Sequence, residues 1–180
     1  MSGSAVLAVG DSVMLASAPP LQSALPGISI DAKVSRQVST GLAIVQQLAA
    51  SGDLRRVVVF ALGTNGTFTA GQMHQLLTAI GPRRKLVLVN SYEARSWEAG
   101  NNRVIAAAAH GHRNVVLANW FETIQHRTNV LYSDEVHPEP PGARLYAHVV
   151  KAAVRAAESP AATGGSAAGR AGAPGSSGGT

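Results

Sequence analysis

Short runs of β-branched and apolar residues alternate with helical patterns along this chain, and that alternation limits the available folds more than any other feature. Residues 57–62 (VVVFAL), 85–90 (KLVLVN) and 114–119 (NVVLAN) are almost uninterrupted apolar runs, the form strands take when both faces of a sheet are covered. Residues 4–9 (SAVLAV) and 28–33 (ISIDAK) read as two further strands. Between them, residues 40–50 set Leu42, Val45, Leu48 and Ala49 on one helical face, and residues 70–80 do the same with Met73, Leu76, Leu77 and Ile80. Residues 101–109 and 143–157 supply two more helices, and a short one follows Ser12 until Pro19-Pro20 interrupts it. Strand–helix alternation at this spacing predicts an α/β fold, a three-layer doubly wound sandwich around a five-stranded parallel sheet.

One domain is expected, over residues 1–158. Residues 159–180 hold 7 Gly, 6 Ala and 4 Ser with nothing large to bury, which predicts a disordered Gly/Ala/Ser-rich tail. Elsewhere the composition suits a packed core, with 46% apolar and 14% charged residues overall. The absence of cysteine excludes disulfides, thiolate nucleophiles, iron–sulfur clusters and Cys-ligated zinc. The net charge of +5 favours anionic partners. Its clusters, Arg55-Arg56 and Arg83-Arg84-Lys85, sit just before strands and read as solvated strand ends. Aromatic residues are only 4%, too few for the stacked platform that single-stranded nucleic acid needs, so no nucleic-acid partner is expected. No apolar stretch approaches the ~20 residues of a membrane span, and residues 1–9 lack the basic start of a secretory signal.

In a doubly wound sheet, ligands bind outside the carboxyl ends of the strands. The residues just after each strand are therefore where chemistry is sought. They are Gly10-Asp11-Ser12, Val34-Ser35-Arg36-Gln37, Gly63-Thr64-Asn65-Gly66, Ser91-Tyr92-Glu93 and Trp120-Phe121-Glu122, and a late loop carries Asp134-Glu135-Val136-His137. Together they offer a hydroxyl, an amide, an imidazole and a carboxylate, the parts of nucleophilic acyl transfer. Ser12 is the candidate nucleophile, although Ser is also a favoured helix N-cap. His137 is the candidate base, with Asp134 three residues earlier to hold its far ring nitrogen. Asn65, between two glycines, is the candidate oxyanion donor, although Asn-Gly is also a strong turn signal. Taken singly each is weak; their complementary roles on three separate loops give them weight. A site built from Asp134, His137 and Glu139 matches no strong zinc spacing, and no metal or cofactor is called for.

These three blocks, Gly10-Asp11-Ser12, Gly63-x-Asn65 and Asp134-x-x-His137, resemble those of the SGNH (GDSL-type) hydrolase superfamily, whose sheet is flavodoxin-like. The resemblance implies a triad of Ser12, Asp134 and His137, with the Ser12 N–H and Asn65 forming the oxyanion hole. In that superfamily a glycine after the second strand gives a third donor; here Ser35 stands in its place, with its backbone N–H still present. The segments GDSVM, DAKVSRQV and ALGTNG and the Trp97…Asn101 stretch are similar to the SGNH domain attached to integral-membrane acyltransferases, including peptidoglycan O-acetyltransferases. That likeness implies an acyl donor, a carbohydrate acceptor, a membrane acyltransferase region on the same or a separate chain, and a place in the cell envelope. Arg36, Gly63 and Asn101 are expected at the substrate, and the domain is expected to be monomeric. Whether water or a sugar hydroxyl resolves the acyl-serine stays open at this point. A noncatalytic glycan-binding domain on the same fold is the alternative. A nucleotide-binding module is disfavoured, since neither G-x-G-x-x-G nor a P-loop occurs.

Overall fold

The computed structural model describes residues 2–159; apart from Ser159, the expected tail lies outside the described residues. Five strands form one sheet: β1 (Val6–Gly10), β2 (Ser29–Ala32), β3 (Val57–Ala61), β4 (Lys85–Val89) and β5 (Val115–Ala118). All pair in parallel, in the order β2-β1-β3-β4-β5. The chain reverses its winding between β1 and β3, so the loops after these two strands part and leave a crevice.

The helices are α1 (Ser12–Ala16), α2 (Ala18–Ala24), α3 (Val38–Ser51), α4 (Ala70–Ile80), α5 (Glu98–Gly111), α6 (Trp120–Ile124) and α7 (Pro140–Glu158), with a 3-10 turn at Thr128–Val130. Alternate residues of each central strand feed two separate cores. Val6, Ala8, Val57, Val59, Val87 and Val89 pack with α1, α2, α6 and α7. Leu7, Val9, Val58, Phe60, Leu86 and Leu88 pack with α3, α4 and α5. Every residue of β1 and β3 is buried, as a run without polar alternation requires.

Two expectations need adjusting. Pro19-Pro20 does more than end the first helix: the pair occupies the first turn of α2, where proline loses no hydrogen bond. Trp120 opens a five-residue helix, capped by the Asn119 side chain on the Glu122 N–H. None of the helices is long and apolar enough to cross a membrane, among the described residues.

Candidate active site

The crevice between β1 and β3 is where the strand-end residues meet. β1 closes on Gly10, at which a Cβ would lie 2.6 Å from the Cβ and Sδ of Met14; the chain can fold back under α1 only with glycine there. Asp11 then caps α1, its Oδ1 accepting the Val13 N–H at 3.0 Å. The cap is therefore Asp11 and not Ser12. Ser12 becomes the first helical residue, a position whose N–H has no intrahelical acceptor. Burial pushes the Asp11 carboxyl above its ordinary range, against the pull of the Val13 N–H.

The imidazole arrives from the other end of the sequence. A single antiparallel bridge joins Leu131 to Pro138, closed by Tyr132 N–H on the His137 carbonyl and Glu139 N–H on the Val130 carbonyl, each 2.9 Å. Within this loop Asp134 Oδ1 accepts the backbone N–H groups of Val136 and His137 at 3.0 Å. Its Oδ2 lies 2.6 Å from His137 Nδ1, and His137 Nε2 lies 2.8 Å from Ser12 Oγ. Partial desolvation raises the Asp134 pKa, but the two N–H donors and the His137 ring outweigh it and bring the carboxyl down to about 2. An ionised Asp134 on Nδ1 keeps a proton on that nitrogen and leaves Nε2 as the acceptor facing the hydroxyl.

Asn65 sits on the far lip of the crevice. Its Nδ2 is 3.5 Å from the Arg36 carbonyl, the outer limit of a hydrogen bond, so the amide's donors are nearly free. Gln37 Nε2 donates to the Asn65 carbonyl at 3.0 Å, knitting the loops after β2 and β3 together. Ser35, on the first of these loops, adopts φ +57 and is exposed. This is a left-handed backbone that glycine takes without penalty.

Three residues expected at the substrate face inward instead. Arg36 is buried; it donates to the Gly10 carbonyl at 3.3 Å, to the Asp31 carbonyl, and to Asp31 Oδ1 at 2.6 Å. Its stem and charge brace β2 against the end of β1. Asn101, on α5, is 2% exposed and donates to the carbonyls of Gly63 and Gly66 at 3.0 and 2.9 Å. Gly63 has φ +133, and a Cβ there would stand 3.2 Å from Asn101 Nδ2. It serves the turn that carries Asn65.

Behind the nucleophile lies a cavity of about 10 Å³ among Asp11, Thr64, Ser91 and Tyr146, room for a single water. Beside the His137 loop a groove is lined by Tyr92, Glu93, Phe121 and Glu135. Glu93 is buried; Ser91 Oγ donates to its Oε1 at 3.1 Å and its Oε2 has no partner. Burial, with the charges of Glu98 and Asp11 adding to it, raises the Glu93 pKa to about 7 against the pull of Ser91. No group of three or more His, Asp or Glu suited to a metal ion occurs among the described residues.

The structure thus brings Ser12, His137 and Asp134 into one hydrogen-bonded line, with Asn65 and Ser35 on neighbouring loops. Sequence reasoning missed the capping role of Asp11, although Asp is as good a cap as Ser. It also missed Glu93, whose position at a strand end was visible but whose burial was not.

No family model matches the chain. A Bacillus subtilis protein provisionally named as the peptidoglycan O-acetyltransferase YrhL is 38% identical over 149 residues, covering 82% of this chain and 23% of the relative. Peptidoglycan O-acetyltransferase OatA of Listeria monocytogenes is 34% identical over 140 residues, covering 78% of this chain and 22% of the relative. The chain therefore spans less than a quarter of the curated relatives it matches. Among solved structures, the C-terminal catalytic domain of Streptococcus pneumoniae OatA, with a methylsulfonyl adduct, superposes with a TM-score of 0.77 at 25% identity. That match covers 84% of this chain and 93% of that one. A carbohydrate esterase family 3 protein of Talaromyces cellulolyticus shares the fold at a TM-score of 0.64 and 17% identity, over 84% of this chain and 96% of that one.

Proposed function

Because the chain belongs to the SGNH (GDSL-type) hydrolase superfamily, a family of serine esterases and acyltransferases, we propose that it moves a short acyl group on or off a cell-envelope glycan through an acyl-serine. Ser12 Oγ attacks the acyl carbonyl while His137 Nε2 takes its proton. Asp134 keeps the ring in the accepting tautomer and stabilises the imidazolium that forms. The negative oxygen of the tetrahedral intermediate is held by the Ser12 N–H and Asn65 Nδ2, with the Ser35 N–H as a third donor. Collapse breaks the ester bond, and the departing alkoxide takes the proton from Nε2. An acceptor hydroxyl then attacks the acyl-serine, giving its proton to Nε2, and collapse breaks the bond to Ser12 Oγ, which takes that proton back. A sugar hydroxyl completes a transfer; water completes a hydrolysis.

The observation that carries this reading is the 2.8 Å contact of Ser12 Oγ with His137 Nε2, made across 125 residues of sequence. The named relatives support peptidoglycan as the glycan and the envelope as the place of action. The likeness to domains attached to integral-membrane acyltransferases supports a membrane-borne acyl donor, on this chain's own polypeptide or a separate one. The protein is expected to act here as one compact domain over residues 1–158.

The test is labelling of the full chain with a serine-directed fluorophosphonate, together with turnover of an activated acetate ester. One adduct on Ser12, and loss of both signals in Ser12→Ala, is the expected result. Unchanged turnover in Ser12→Ala rules the mechanism out. Glycan binding with no adduct at all favours a noncatalytic domain. Adding a glycan acceptor separates the two fates of the acyl group: O-acylated sugar reports transfer, and free acetate alone reports hydrolysis.

A further inference from the structure

Asn65 is held in a turn whose local closure is long, the Gly66 N–H reaching the Gly63 carbonyl at 3.4 Å. Among the described residues its carbonyl accepts from the exposed Gln37 side chain, and its amide touches the Arg36 carbonyl at 3.5 Å. The firm anchor lies one helix away. Asn101 Nδ2 donates to Gly63 O on one side of Asn65 and to Gly66 O on the other, and its Oδ1 accepts the Phe68 N–H at 2.7 Å. One side chain thus closes on three backbone groups that bracket Asn65, across 33 to 38 residues of sequence. Both amide protons and the carbonyl are used, so no other group in reach competes for them. Phe68 is buried and packs on Phe60 at a ring separation of 5.7 Å, which secures the loop's far end to the core.

We infer that Asn101 is a positioning residue for oxyanion stabilisation: from α5 it sets the height and direction of the Asn65 amide over the Ser12 hydroxyl. This rests on the acyl-serine reading and adds to it a residue that touches no substrate. An oxyanion donor acts only if it is aimed before charge develops. A loop released from Asn101 keeps Asn65 in its sequence while losing that aim. The loss then appears in kcat, because the ground-state carbonyl needs the donor less than the transition state does.

The experiment is a double-mutant cycle on the full chain, with kcat and KM for an activated acetate ester and the fluorophosphonate labelling rate of Ser12 as readouts. Removing the donor itself, Asn65→Ala, is expected to lower kcat by about 10²–10³-fold. Asn101→Ala is expected to lower kcat about 10- to 100-fold with KM within about threefold, a part of the full donor effect. In the Asn65→Ala background the same substitution is expected to have almost no further effect, because the aim of an absent amide cannot be spoiled. Asn101→Asp keeps the acceptor for the Phe68 N–H and loses both donations, and serves where Asn101→Ala does not fold. Full additivity of Asn101 with Asn65 overturns the inference, as does loss of fold in both Asn101 variants, which makes the residue a core anchor only. Wild-type kcat in Asn65→Ala, or a Ser12 that takes no label in the native chain, fails the acyl-serine reading instead.

Discussion

Replacing Asp134 by asparagine separates two jobs that one carboxylate performs. Its Oδ1 holds the loop through the Val136 and His137 N–H groups, and its Oδ2 faces His137 Nδ1 at 2.6 Å. In Asp134→Asn the amide oxygen keeps the two backbone bonds, so the loop stays folded. The amide NH2 takes the place of Oδ2 and presents a donor to Nδ1. Two donors cannot face each other at that distance, so the ring shifts its proton to Nε2. Nε2–H then donates to Ser12 Oγ and can no longer accept its proton. Where the equivalent aspartate of a serine protease is buried, this exchange lowers kcat by about 10⁴-fold. Here the Asp134 side chain is 49% exposed, and water relieves part of the misfit. The expected loss is therefore about 10²–10⁴-fold in kcat, or about 3–5 kcal/mol of barrier. KM for an activated acetate ester should stay within about threefold, and the melting temperature within about 2 °C, as for a substitution that keeps the loop's bonds. If Asp134 serves only to fold the loop, Asp134→Asn is silent in kcat. A variant retaining activity within threefold of the native chain refutes the tautomer argument.

Ser35→Gly should stabilise the domain. A non-glycine residue in the left-handed region loses about 1 kcal/mol, and the greater freedom of glycine in the unfolded chain cancels part of that. The expected gain is about 0.5 kcal/mol, read as a melting temperature about 1–2 °C higher with kcat unchanged because the N–H remains; a lower melting temperature contradicts it. Glu93→Gln should stabilise the protein only at neutral and higher pH. The folded Glu93 pKa is raised from 4.5 to about 7, so between these values the folded state holds a proton that the unfolded state has released. That penalty is absent at pH 4, grows as pH rises, and is complete above pH 7. Chemical denaturation should show the variant about 2–3 kcal/mol more stable at pH 8 and equal to the native chain at pH 4; a gain of the same size at both pH values contradicts it.

The strands were legible because their both-faces-apolar character is written into consecutive residues: the expected 57–62 and 85–90 became Val57–Ala61 and Lys85–Val89. The long helices were legible for a similar reason, and Ala70–Ile80 matches its expected bounds. The elements missed are too short for periodicity to register, such as Trp120–Ile124, or are announced by residues that also signal a break, such as Pro19-Pro20. In the site, residue types at strand ends pointed to Ser12 and Asn65, and a late loop to His137, since topology sends these loops to one rim. Direction was not legible. Whether Arg36 and Asn101 face solvent or backbone depends on what lies beneath them, and the partners that decide it, the end of β1 and the loop after β3, are distant in sequence.

The two partners of the Ser12–His137 contact emerge from the ribosome far apart in time. The hydroxyl belongs to the first strand–helix junction, and the imidazole sits just ahead of α7, which packs back against the same sheet face as α1 and α2. A nascent chain therefore carries its nucleophile unarmed while the 125 residues from Ser12 to His137 are added. Acyl reactivity should switch on in a single late step, as α7 docks, so Ser12 labelling in stalled translation products would also report when the sheet is complete.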